Sequence, residues 1–303
     1  MQSRTDIYRR EVNSLSLSVH AMATRFELYL WGADPVRLRA AGEEALEEVR
    51  RLDSQLNSHS ADSEISHINR NAGSRAVRVE PRLFKLLQKC AGLAEATAGS
   101  FDITVGPLMR VWRLVESRGT PPSADELERV RSVVGIDQIE FDETECTIRF
   151  RRDGVEIDLG AYGKGYAIER AIEILSENAI ESGILHGGTS SVYAIGVSPD
   201  DSEWRIRLSD PLADNGRPVV VGLSNSALSV SAVHGKWFDR LAKRYGHVID
   251  PRTGQPCDGV CSAAITGPSP TLCEAFSTAL LVMGRGWLPT LADGFPGYRG
   301  WVN

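Results

Sequence analysis

At 303 residues the chain exceeds the usual size of one domain, so either one elaborate body or two closely packed lobes fits its length. Its 42% hydrophobic and 24% charged residues are ordinary for a folded globular protein, and a net charge of −6 without any basic cluster argues against nucleic acid as a partner. Five cysteines, Cys90, Cys146, Cys257, Cys261 and Cys273, form an odd set without paired C-x-x-C spacing, which argues against both a disulfide framework and a zinc site.

The first residues, MQSRTDIYRREVNS, are polar and charged, so residues 1–14 are expected to form a flexible tail before a single domain over 15–303. No apolar core of signal-peptide length and no bilayer-length apolar run follows, which predicts no membrane insertion and a cytoplasmic location unless an export segment has been removed. Residues 25–31 alternate Phe26, Leu28 and Leu30 with more polar neighbours, the period of a half-buried strand. From Pro35 to Leu56 the residues Leu38, Ala41, Ala45, Val49, Leu52 and Leu56 recur at helical steps. Pro81 opens a second helix with a stripe through Phe84, Leu87, Ala91 and Ala94, and Gly99 stands where a helix C-terminal glycine is expected.

Residues 119–131 read as a loop and a short solvated helix. Short alternating segments follow at 146–150 and 155–159, then a helix near 165–179. Strand-like runs come at 191–197, 204–208, 218–223, 227–231 and 260–266, and a last helix at 270–284. Helices mixed with hairpin-like strand runs indicate the α+β class rather than a βαβ alternation.

Four segments carry candidate chemistry. IDLGAYGKGY, residues 157–166, ends a strand-like run at Asp158, crosses Gly160, Gly163 and Gly165, and starts a helix whose amides suit phosphate, with Lys164 as a nearby cation. A plain glycine turn with a solvated lysine explains the same pattern. His186-Gly187-Gly188-Thr189 reads either as a ligand-facing loop or as a turn with a structural histidine. His247 precedes an Asp250-Pro-Arg252-Thr-Gly254 turn; it is a candidate base near neutral pH or an incidental neighbour of that turn. Glu274 and Thr278, one helical turn apart, offer two hard oxygen ligands or an ordinary polar helix face. Cys257 and Cys261 read as small apolar residues at a turn rather than a redox pair.

Taken in order, these segments resemble the FAD:protein FMN transferase (ApbE) family. The resemblance runs through His20-Ala-Met22-Ala-Thr24, Asp62-Ser-Glu64-Ile-Ser66 with Asn69, Gly99-Ser100-Phe101-Asp102, IDLGAYGKGYA, His186-Gly-Gly, GHVIDPRTG and Ser277-Thr278-Ala-Leu. It implies a compact two-lobed, T-fold-like α+β body with a flavin-binding cleft. It also implies a reaction in which the FMN half of FAD passes to a threonine hydroxyl of an acceptor flavoprotein, with Mg²⁺ at the pyrophosphate and release of AMP. By resemblance, Met22, His59, Ser100, Phe101, Asp102, Asp158, Lys164 and Val248 would contact FAD. The metal would take a backbone oxygen at Ala161 and the side chains of Glu274 and Thr278, and His247 would be catalytic. Three residues depart from the family pattern: Glu274 stands for the usual aspartate, Thr189 for the aspartate of a Gly-Gly-Asp, and His59 for an aromatic residue. Two alternatives stand beside the transferase: a flavin-binding protein that has lost turnover through the changes at Glu274 and Thr189, and a pyrophosphatase that splits FAD to FMN and AMP with water as acceptor.

Overall fold

A computed structural model describes residues 13–118, 120–200, 202–208, 219–233, 237–240, 243–246, 248–257, 260 and 262–303. The chain begins with strands β1 (Asn13–Ala21) and β2 (Thr24–Gly32), then helices α1 (Pro35–Leu56) and α2 (Glu64–Asn71), strand β3 (Val77–Arg78) and helix α3 (Pro81–Ala96). A 3-10 turn at Ile103–Val105 leads into α4 (Gly106–Arg118), followed by α5 (Ala124–Arg131), β4 (Ile139–Asp142), β5 (Thr147–Phe150) and α6 (Gly163–Glu177). Strands β6 (Ser182–Gly187), β7 (Ser191–Ile195), β8 (Trp204–Arg207), β9 (Val220–Leu223) and β10 (Ser226–Ala232) come next. The short strands β11 (Trp237–Arg240), β12 (Lys243–Gly246), β13 (Ile249–Asp250) and β14 (Gln255–Pro256) precede β15 (Ser262–Gly267), α7 (Pro270–Met283), α8 (Leu288–Gly294) and β16 (Arg299–Val302).

The main sheet has seven strands in the order β1-β2-β6-β7-β10-β15-β16, every neighbouring pair antiparallel. Its period-two alternation serves two different faces. Phe26, Leu28, Leu30, Leu185, Ala227 and Ile265 point into the large core beneath α1, α6 and α7. Tyr29, Trp31, Ile184, Val192 and Ala264 line the opposite face with Leu223 of β9 and Trp204 of β8. The large core continues without a break to Phe84 and Leu87 of α3 and to Ile148 and Phe150 of β5, in the small sheet β3-β5-β4.

Local chemistry accounts for the main helices. Asp34 caps α1 by accepting from the backbone N–H groups of Val36 and Arg37, ahead of Pro35 in the first turn. The buried face of α1, from Leu38 to Leu56, packs against β1 and α6. Ser269 caps α7 at the Leu272 N–H, and the helix ends at Gly284 with φ +69°.

Several elements differ from the sequence expectation. β1 starts at Asn13, inside the stretch assigned to the tail, because Leu15, Leu17 and Val19 pair along β2. Residues 155–159 join no ladder: the Asn69 side chain and the Ile103 carbonyl take their backbone groups instead. α2, α4, α8 and the strands β3, β4, β11, β12, β13, β14 and β16 come in addition to the expected elements. Among the described residues, no helix is long and apolar enough to cross a membrane.

Candidate active site

Register brings the β1–β2 turn, the β6–β7 turn, the C-terminal end of β10 and the N-terminal end of β15 to one end of the main sheet. Ala21 pairs with Thr24, so Met22 and Ala23 alone make the first turn, with φ +51° and +56°. Left-handed backbone suits the twist of a two-residue hairpin but costs a residue with a side chain about 1–2 kcal/mol. The Met22 sulfur lies 3.9 Å from where a Cβ on Gly163 would stand. Behind the hairpin, Gly188 has φ +69°, and a Cβ there would come within 2.3 Å of the Thr24 hydroxyl. The hairpin tip, the Gly187-Gly188 turn and the start of α6 therefore crowd together.

The glycine turn is fixed from both sides. Asn69 donates from its amide to the Ile157 carbonyl at 2.9 Å and accepts from the Ile157 N–H at 2.8 Å, imitating a strand partner for a segment that has none. Asp158 donates its backbone N–H to the Ile103 carbonyl at 2.7 Å, and its Oδ1 accepts from the Gly160 N–H at 2.7 Å. Tyr162, fully buried, lies 6.1 Å from the Phe101 ring, and burial drives its hydroxyl above the usual tyrosine range. Gly165 is required by space: a Cβ there would meet the Pro270 carbonyl oxygen at 2.5 Å.

The segment holding Ser100, Phe101 and Asp102 leaves α3 through Gly99, φ +73°. Ser100 donates to the Thr97 carbonyl at 2.7 Å. Asp102 accepts from the N–H and hydroxyl of Thr104 at 2.7 and 2.6 Å. Burial raises its carboxyl above the usual range, with the Thr104 bonds opposing. Across from Gly99 stands Arg252, its Cγ 3.6 Å from where a Cβ would be. Arg252 pairs with Asp250 at 2.9 Å, and the turn between β13 and β14 is anchored by Trp112, whose indole N–H donates to the Gly254 carbonyl at 2.8 Å. Val248 packs at the margin of the large core, and its carbonyl accepts from the Cys257 N–H at 2.8 Å. His247 lies outside the described residues, as does Cys261. The Cys257 thiol pKa is pushed up to about 12, chiefly by burial and then by Asp250.

α7 supplies the acid. Glu274, 3% exposed, holds the Lys164 ammonium on Oε1 and accepts the Gly165 N–H on Oε2. One turn on, Thr278 donates to the Glu274 carbonyl at 3.3 Å and shares a 3.3 Å contact with the Ser231 hydroxyl. Ser231 also meets Ser277 at 2.8 Å. The hard-oxygen donors fit a small divalent cation in kind, and the carboxylate already embraces one positive charge. Ala161, whose carbonyl was the third expected ligand, is partly buried in the glycine turn at the core margin. Among the described residues, no group of three or more His, Cys, Asp or Glu side chains forms a metal cluster.

Met22, Ser100, Phe101, Asp102, Asp158, Ala161, Lys164, Glu274 and Thr278 thus belong to segments linked by direct contacts. His59 does not join them through any described contact; it is exposed, and its backbone N–H donates to Asn57 at 2.9 Å. His186 sits in β6 opposite Glu27, its imidazole pKa lowered by burial against the opposing effect of that carboxylate. Thr189 is exposed. Trp112 and Ser231 were missed from sequence. The run Ser226-Ala-Leu-Ser229-Val-Ser231 carried a usable signal for Ser231, since hydroxyls two residues apart share the face of a strand that Ala227 shows to be buried.

Together these features define an α+β protein in which a strained hairpin, a glycine turn opening a helix, and a buried carboxylate meet at one end of an antiparallel sheet. The chain belongs to the ApbE family, whose model matches residues 22–298. An FAD:protein FMN transferase of Treponema pallidum is 26% identical over 305 residues, covering 95% of this chain and 84% of its own. Another, of Haemophilus influenzae, is 27% identical over 291 residues, covering 91% and 83%. Among solved structures, an ApbE protein of Thermotoga maritima matches with a TM-score of 0.83 at 27% identity, covering 96% of this chain and 94% of the other.

Proposed function

We propose that this chain is an FAD:protein FMN transferase that moves FMN from FAD to a threonine hydroxyl of an acceptor flavoprotein, releases AMP and depends on Mg²⁺. The observation that carries the reading is the meeting of Met22, Phe101, the 158–165 turn and Glu274 at one sheet end in a chain matched by the ApbE model over 22–298. In the transfer, the acceptor oxygen forms a bond to the FMN phosphorus while the pyrophosphate P–O bond breaks and AMP leaves. His247 is proposed to accept the threonine proton, a role suited to an imidazole near neutral pH. Met22, His59, Ser100, Phe101, Asp102, Asp158 and Val248 are proposed to hold FAD, with Lys164 and the first amides of α6 facing its phosphates. Glu274, Thr278 and the Ala161 carbonyl would hold Mg²⁺, which would supply positive charge to offset the charge developing at the pyrophosphate.

Incubation with FAD, Mg²⁺ and candidate acceptors should give a covalently flavinylated acceptor, detected by mass spectrometry, and an equal amount of AMP. FAD retention without AMP across several acceptors would identify a binding protein instead. AMP and free FMN without any acceptor would identify a pyrophosphatase. His247→Ala should abolish transfer while leaving FAD binding in place.

A further inference from the structure

Two anion-binding groups lie at the start of α6, and both are occupied from within the protein. The Gly165 N–H is one of the first-turn amides that an α-helix leaves without an internal partner, and the Lys164 ammonium is the neighbouring cation. A phosphate oxygen would use these groups, yet Glu274 takes both, one with each carboxylate oxygen. Glu274 reaches them because α7 packs so closely on Gly165 that no side chain fits between. Its carboxylate is buried, so it cannot turn to solvent when an external anion arrives, and its charge needs a replacement partner before it gives up Lys164.

We propose that Glu274 is an internal competitor of the FAD phosphates, and that Lys164 and the Gly165 amide become free for FAD only when a divalent cation takes over the Glu274 carboxylate. The inference rests on the flavin-transfer reading and adds a binding order to it: cation before, or together with, FAD. Thr278, one turn from Glu274 and hydrogen-bonded to Ser231, is the second oxygen already held in place for that cation. Linkage then requires reciprocity, so Mg²⁺ raises the affinity for FAD by the same factor as FAD raises the affinity for Mg²⁺.

The test measures FAD affinity by quenching of flavin fluorescence, with Mg²⁺ and with EDTA. In the wild type, Mg²⁺ should tighten FAD binding by about tenfold or more. Glu274→Gln, of nearly the same shape but without the charge, should bind FAD in EDTA more tightly than the wild type does in EDTA and gain little from Mg²⁺. A variant that binds FAD in EDTA no better than the wild type overturns the proposal. A second measurement needs no variant: acetylation of Lys164 by acetic anhydride, followed by mass spectrometry, should rise when Mg²⁺ alone is added and fall again when FAD follows. Unchanged labelling on adding Mg²⁺ also overturns it. Wild-type FAD binding that is equal with and without Mg²⁺ sinks this inference alone, whereas no FAD binding under either condition sinks the transferase reading.

Discussion

Asp102 is a carboxyl in a place that disfavours its charge. Burial raises its carboxyl pKa, and the bonds from Thr104 recover only part of that cost. With the folded value above the unfolded one, the group's favourable contribution to stability is fully present below the ordinary aspartate range and is lost as pH rises through the raised value. Asp102→Asn removes this titration and adds a pH-independent offset, because the amide cannot accept everything a carboxylate accepts. The melting temperature of the variant minus that of the wild type should therefore increase from about pH 4 to about pH 7. A flat or falling difference would show that the carboxylate is not strained by burial. Legibility differed among the single residues. Lys164 and Glu274 were both visible as chemistry, but their pairing across 110 positions was not, because the approach of α7 to Gly165 is a tertiary event.

The elements around the site are held by a few side-chain bonds, which makes them open to test. Asn69 supplies both hydrogen bonds of the buried Ile157 backbone. Asn69→Ala should cost about 1–3 kcal/mol in urea unfolding, since it leaves a buried donor and acceptor without partners. It should also weaken FAD binding, because Asp158 follows directly. The β1–β2 turn makes the opposite case. Ala23 at φ +56° occupies the second position of a two-residue turn where glycine is preferred, so Ala23→Gly should stabilise the protein by about 0.5–1 kcal/mol, read by chemical denaturation. A loss of stability would mean that the Ala23 methyl group packs more usefully than its exposed position suggests. α4 could have been read from Pro107 in its first turn and from Leu108, Val111 and Trp112 at helical steps. The 155–159 segment could not, because its alternation is that of a strand while its hydrogen bonds go to a side chain and a loop.

For the molecule as a whole, the large core joins the main sheet, its three covering helices, and α3 with the small sheet. Cys90 of α3 and Cys273 of α7 lie on different helices of that core, both fully buried, with thiol pKa values driven well up by desolvation. If the core unfolds as one unit, both should become reactive to a thiol reagent at the same urea concentration, while the partly exposed Cys146 reacts in the native state. Separate midpoints for Cys90 and Cys273 would divide the molecule into two folding units. The sequence by itself determined the α+β class, α1, α3, α6 and α7, and most strands of the main sheet, because periodicity, caps and glycine placement are local properties of the chain. It also marked the glycine turn and the α7 acid as candidate chemistry, and through the family resemblance the Gly99–Asp102 segment. Only the tertiary structure decided which of these groups touch: a register that carries two turns and two strand ends to one sheet end, a side chain standing in for a strand, and a helix packed closely enough for Glu274 to take the Lys164 ammonium and the Gly165 N–H at the start of α6. Those contacts depend on residues roughly a hundred positions apart, whose meeting is set by how the helices and sheet pack.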